Sequence, residues 1–154
     1  MPDGPVNNND CKLYYTPDTG GSPTWVLIAR AKNANLATSA TTADSTSRES
    51  KFETEEVNTV KIGPLTFDYR QNAEDDTVFD ALRAAHVAKT KLRFAQMTGP
   101  IATSGSEGWT FWGQITKSDV VEAEGGIRQA SFEVVPTAHY ESGTLVEPSW
   151  LEVA

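Results

Sequence analysis

Between Thr59 and Met97 the spacing of apolar residues changes period twice. In the run from Val60 to Arg70, Leu65, Phe67 and Tyr69 alternate with Thr66, Asp68 and Arg70, the period-two pattern of a half-buried strand. From Asp76 onward Val78, Phe79, Leu82, Ala85 and His86 recur at helical spacing. Glu74, Asp75 and Asp76 stand just ahead of them, where carboxylates cap free amides and suit the positive end of the helix dipole. After Lys89 the period returns to two, with Leu92 and Phe94 on one face and Ala95 and Met97 on the other. The pattern predicts a strand, an acidic turn, one short amphipathic helix and a second strand.

The rest of the chain is β-patterned. Lys12–Tyr15 and Trp25–Ile28 flank a stretch dense in turn formers, Thr16 to Pro23, which predicts a hairpin with a long tip. A short strand is expected over Asn35 to Thr38. Ser39 to Thr59 is rich in Ser, Thr, Ala and Glu, with Phe52 and Val57 its only large apolar residues, and is read as an extended loop. A structureless loop of that length inside a compact domain is either functional or a mis-assigned element, and its composition favours the first. Gly99 to Gly108 is a connection, and Trp109 to Thr116 carries aromatics on both faces, the mark of a strand covered on both sides or bent at Gly113. Val120-Val121 leads through Gly125-Gly126 into an alternating strand from Ile127 to Val135, stopped by Pro136. The tail from His139 to Ala154 is broken at Gly143 and Pro148 and offers one bulky anchor, Trp150-Leu151. Such a terminus gains order only by docking on something. Turn signals at this regular spacing predict a mainly β chain, a sandwich or barrel, with one flanking helix.

Composition narrows the function classes. A chain of 154 residues suits one domain with a sizeable core. Charged residues make up 22% and hydrophobic ones 38%, and no apolar run approaches the ~18 residues of a membrane span. Residues 1–10 have neither a basic start nor an apolar centre, and read as a flexible arm rather than a secretory signal. The single cysteine, Cys11, leaves no internal disulfide and reads as a structural thiol near a strand start. A net charge of −8 disfavours any partner held through phosphate contacts.

No residue cluster carries chemistry. Glu74, Asp75, Asp76 and Asp80 could hold a hard cation or do acid/base work, but acidic residues at a helix start are read as caps. His86 and His139 lie far apart without Cys or carboxylate at ligand spacing, so neither a metal site nor a triad is expected. Gly20-Gly21 and Gly125-Gly126 open no helix after a strand and are turns, not phosphate cradles. Trp109, Phe111 and Trp112 could form a stacking platform, yet aromatics grouped in a strand are read as core. Lys89, Lys91 and Arg93, spaced by two, are read as one face of an edge strand guarded against pairing. No catalytic residue and no cofactor are expected, and the chain does not read as an enzyme.

Taken in order, several segments resemble the major tail tube proteins of long-tailed bacteriophages. They are the Trp25-Val26-Leu27-Ile28 hairpin, the polar Thr42-Ala43-Asp44-Ser45-Thr46-Ser47-Arg48, the strand Leu65-Thr66-Phe67-Asp68-Tyr69, the acidic turn into Phe79-Asp80-Ala81-Leu82-Arg83-Ala84-Ala85, and the closing Gln129 to Thr137. The resemblance is one of order and texture over residues 11–137, and it implies a β-sandwich or barrel with one helix on its flank. It further implies hexameric rings that stack into a tube, the conduit for genome ejection into the host cell. DNA would pass through the lumen without tight binding, and the other partners would be tail proteins such as the tape measure, tail terminator and tail tip. The location implied is the virion tail, assembled in the bacterial host cytoplasm.

The same resemblance divides the chain into an arm (1–10), a tube domain (11–137, with the loop 39–59 running from ring to ring) and a C-terminal tail (138–154). Its interface residues would be Arg48, Phe52, Glu53, Glu55, Glu56, Val57, Trp150 and Leu151. The tail after Thr137 is longer than a minimal tube subunit needs and leaves room for an extra contact. An acidic chain fits a channel that must not retain DNA, since phosphates meet like charge there. Two other classes stay open from the sequence: a carbohydrate-binding β-sandwich using Trp109 and Trp112, and a small hydrolase using the acidic turn.

Overall fold

The computed structural model describes residues 12–20, 22–49, 51–71, 76–122 and 128–154. The expectations for the arm 1–10, Cys11, Gly21, Glu74, Asp75, Gly125-Gly126 and Ile127 fall outside these residues. In chain order the elements are β1 (Lys12–Thr16), β2 (Val26–Leu27), β3 (Ala31–Asp44), β4 (Glu55–Arg70), α1 (Thr77–Ala88), β5 (Leu92–Met97), β6 (Glu107–Glu122) and β7 (Arg128–Pro136). Three short strands follow, β8 (His139–Glu141), β9 (Thr144–Val146) and β10 (Ser149–Glu152).

The main sheet is antiparallel and runs β2-β1-β5-β6-β7-β4-β3, with β10 added beside the start of β6. Its first and last strands are joined by only three residues, Ile28 to Arg30. The Ile28 amide donates to the Leu13 carbonyl at 2.8 Å, and the Arg70 amide donates to the Arg30 carbonyl at 3.3 Å. A sheet whose two ends meet at one corner has to curl, and the inner face so formed holds the core. Period-two burial supplies that core from each strand: Leu13 and Tyr15, Leu65, Phe67 and Tyr69, Leu92 and Phe94, Phe111 and Ile115, and Ala130, Phe132 and Val134.

The single helix closes the curl. Phe79, Leu82 and Ala85 face the same core, with the Phe79 ring 5.9 Å from Tyr69 and 6.1 Å from Phe132. Asp76 caps it as the sequence implies, accepting from the Phe79 amide at 3.1 Å and from the Tyr69 hydroxyl. Lys89 ends it in the left-handed conformation.

The convex face is covered too. Tyr14, Ala95 and Met97 form a second cluster with Trp25, Ile101, Leu151 and Val153. The two faces of the strand after Lys89 are therefore both buried, as its pattern requires. The tail is ordered by docking: Leu151 joins that cluster, and Trp150 meets Trp109 edge-on at 5.4 Å. Within the tail β8 and β9 form a hairpin turned at Ser142 and Gly143, both at positive φ, the backbone that two-residue hairpin loops favour.

Two expectations are corrected. The loop 39–59 is instead a long hairpin: β3 continues to Asp44 and β4 begins at Glu55, so only residues 45–54 turn. Its Thr and Val side chains are β-branched and suit extended backbone even where they stay exposed, so low hydrophobicity here does not mean lack of structure. The basic residues are no edge guard either. β5 lies between β1 and β6, Lys89 belongs to the helix cap, the Lys91 ammonium donates to the Ala138 carbonyl at 2.6 Å, and Arg93 lies over the Trp25 ring.

Candidate assembly surface

The hairpin of β3 and β4 leaves the body beyond Leu36 and Leu65, the last pair that reaches the core. Along the arm the pairs alternate between faces. One face carries Thr38 and Ile62, Ala40 and Val60, then Thr42 and Val57. The other carries Ser39 and Lys61, Thr41 and Thr59, then Ala43 and Glu56. The first is continuous with the inner, core-forming face of the sheet.

Two irregularities in β4 keep it so. Between the pairs Leu36/Leu65 and Thr38/Ile62, β4 holds one extra residue at Gly63-Pro64, and between Thr41/Thr59 and Thr42/Val57 it holds Asn58. Each extra residue resets the alternation by one and returns the next apolar side chain to the same face. Gly63, at φ 95°, has the freedom such a bulge requires. The result is an apolar stripe that runs out of the core into solvent: Val57 is 64% exposed and Val60 67%.

The turn at the end is tied down by its own hydroxyls. Ser45 and Thr54 meet through their hydroxyl oxygens at 2.9 Å, the Thr54 amide donates to Thr46 Oγ1 at 3.0 Å, and the Thr46 amide donates to Asp44 Oδ1 at 2.8 Å. Hydrogen bonding from the Thr46 side chain, and then from its amide, holds the Asp44 carboxyl below its usual range. Phe52 stands at the tip, 78% exposed. From Asp44 to Val57 there are five acidic residues against two basic ones, Arg48 and Lys51. The arm therefore combines an apolar stripe, an aromatic tip and a net negative charge.

Of the residues expected at an interface, Arg48, Phe52, Glu53, Glu55, Glu56 and Val57 all lie on this arm, and the structure brings them together. Trp150 and Leu151 lie elsewhere, on β10 in the body, where Leu151 packs inside its own chain while Trp150 keeps 46% of its surface exposed. Val60 and Ile62 were missed as members of the stripe. Val57 and Val60 are three residues apart, a spacing that a regular strand puts on opposite faces, so period-two reading could not join them.

Of the residues named for other chemistries, several are engaged within the chain. Trp112 is 3% exposed and stacks on His139 at 3.8 Å, so it offers no face to a sugar. Asp76 is engaged in capping and Asp80 faces solvent beside Arg83. His86 is half-buried and bonds through Nδ1 to the Ile115 carbonyl at 2.7 Å, which fastens the helix to β6.

No protein-family model and no curated protein sequence matches this chain. Solved structures do resemble it in fold. The SPP1 tail tube superposes with a TM-score of 0.72 at 9% identity, over 96% of this chain and 80% of that one. The tail of an empty GTA particle, refined with C6 helical symmetry, gives 0.66 at 17% identity over 92% and 97%. The six-fold symmetrised baseplate of the anti-feeding prophage gives 0.60 at 10% identity, covering 99% of each. A long amphipathic arm on a curled, helix-plugged sheet is thus found in a chain whose fold is that of the tail tube structures.

Proposed function

We propose that this chain is a structural virion subunit, located in the phage tail, whose copies form hexameric rings that stack into the tail tube. The observation that carries this reading is the uncovered apolar stripe from Ile62 to Val57, ending in Phe52. Alone, it leaves valines in water; fully burying one such side chain stabilises by about 1.5–3 kcal/mol. A ring stacked on another supplies the cover, and Arg48 with Glu53, Glu55 and Glu56 sets register across the contact. The likeness to a tail refined with C6 symmetry and to a six-fold symmetrised baseplate supports the ring number.

The tube so formed is the conduit for the genome during ejection, and its function is mechanical rather than catalytic. Its net charge of −8 per copy, repeated around a channel, disfavours retention of DNA. Tape measure, terminator and tip proteins are the partners such a tube requires at its core and ends, and assembly takes place in the host cytoplasm. Removing Ser45 to Thr54 and joining Asp44 to Glu55 through Asn-Gly tests the reading. The shortened chain is expected to keep its circular dichroism and melting temperature but to stay unassembled. Tubes of normal length from this variant would overturn it.

A further inference from the structure

The strand that carries the arm also borders a groove near its other end. β3 is 14 residues long, so at ~3.3 Å per residue Ala31 and Asp44 lie roughly 45 Å apart. At the Ala31 end a groove of about 630 Å³ opens where the curled sheet comes round to its first strand. Leu13, Leu27, Ile28 and Ala31 line its floor, and Lys12 and Lys32 contribute positive charge. Part of one wall comes from an irregularity in β3 between Lys32 and Asn35, where Asn33 takes a positive φ of 55° and donates to Asp68 Oδ2 at 3.1 Å.

We infer that this groove is the socket for the arm tip of a second copy, with Phe52 seated on the apolar floor and the acidic flank of the tip facing Lys32. The inference rests on the tube reading above and names the surface that receives the arm. Three features select this occupant. The groove offers apolar floor and cationic rim, and the tip offers one aromatic ring among residues that are net negative. Groove and tip lie at opposite ends of one strand and are different surfaces, so copies aligned in the same direction meet tip to groove. A heterologous contact of this kind runs head to tail wherever its rotation does not close, which is the symmetry a tube axis needs.

The test uses the full-length chain with Cys11→Ser, so that only introduced thiols react. Lys51→Cys places a thiol on the tip beside Phe52 and Ala34→Cys one on the groove wall; both positions are exposed. The two single variants are mixed under assembling conditions and treated with a short bis-maleimide, and a double variant is treated alone. Expected are covalent dimers from the mixture, a ladder of multimers from the double variant, and no cross-linked species from either single variant. Tubes visible by microscopy without cross-linked species would overturn the socket while leaving the tube reading intact. Absence of tubes and of cross-links from well-folded protein would overturn both. Cross-links that form only after residues 2–10 are deleted would show that the chain's own N-terminal segment occupies the groove, and would also overturn it. As an independent arm, Lys32→Glu is expected to abolish tubes and a second change, Glu53→Lys, to restore them; no restoration, or no loss, counts against the pairing.

Discussion

Val57 and Val60, three residues apart in one strand, share a face of the arm because Asn58 stands outside the ladder between them. A strand that only needed to extend would gain nothing from this bulge. Its effect is to keep the apolar stripe unbroken from the core outward. Replacing both valines by serine is expected to leave stability within about 0.5 kcal/mol, as for exposed positions generally, while abolishing sedimentable assemblies. A melting temperature that falls with them would place the valines inside the fold.

The helix is a packing element and should behave as one. Leu82 is wholly buried and Asp80 is exposed, so Leu82→Ala is expected to cost about 2–5 kcal/mol and Asp80→Asn close to nothing. Urea denaturation of the two variants decides the matter, and equal losses would mean the helix faces the other way.

How much of this was legible in the sequence depended on where burial drives the pattern. Leu65, Phe67 and Tyr69 point into one core, so their alternation was clear; the helix was announced by the change of period and by the Asp76 cap. The arm is hidden because its pattern does not answer to the core of the chain. With Val57 and Val60 left exposed by the described residues, and with two bulges resetting the alternation, the segment has the sequence pattern of a polar loop. Its length and its poverty of apolar residues nevertheless set the segment apart in the sequence. Lys89, Lys91 and Arg93 misled for the opposite reason: spacing by two says nothing of where a helix ends, and the cap at Lys89 removes the first of them from the strand.

Tyr69 predicts an alkaline limit. Burial, and then the bond to Asp76, push its phenol above the usual range. The fold favours the neutral form, so this contribution is complete below the unfolded value of about 10 and falls as pH rises beyond it. Tyr69→Phe is expected to cost about 1–3 kcal/mol at pH 7 and to flatten the loss of stability between pH 9 and roughly 11. Parallel stability curves for the two proteins across that range would contradict the assignment.

The C-terminal tail is a covering rather than an appendage. Ending the chain at Thr137 uncovers Tyr14, Ala95 and Met97, which Leu151 and Val153 pack against. The truncated protein is expected to bind a hydrophobic dye and to unfold at lower denaturant than the full chain. Identical midpoints would show that the tail contributes nothing to its own subunit.

Assembly itself is most directly tested by electron microscopy of the purified full-length protein, imaged over a series of concentrations and salt. Hollow tubes of stacked rings with six-fold symmetry are expected, growing in number with concentration. Folded protein that remains monomeric at every condition, with no rings or tubes in any field, would contradict the tail-tube function.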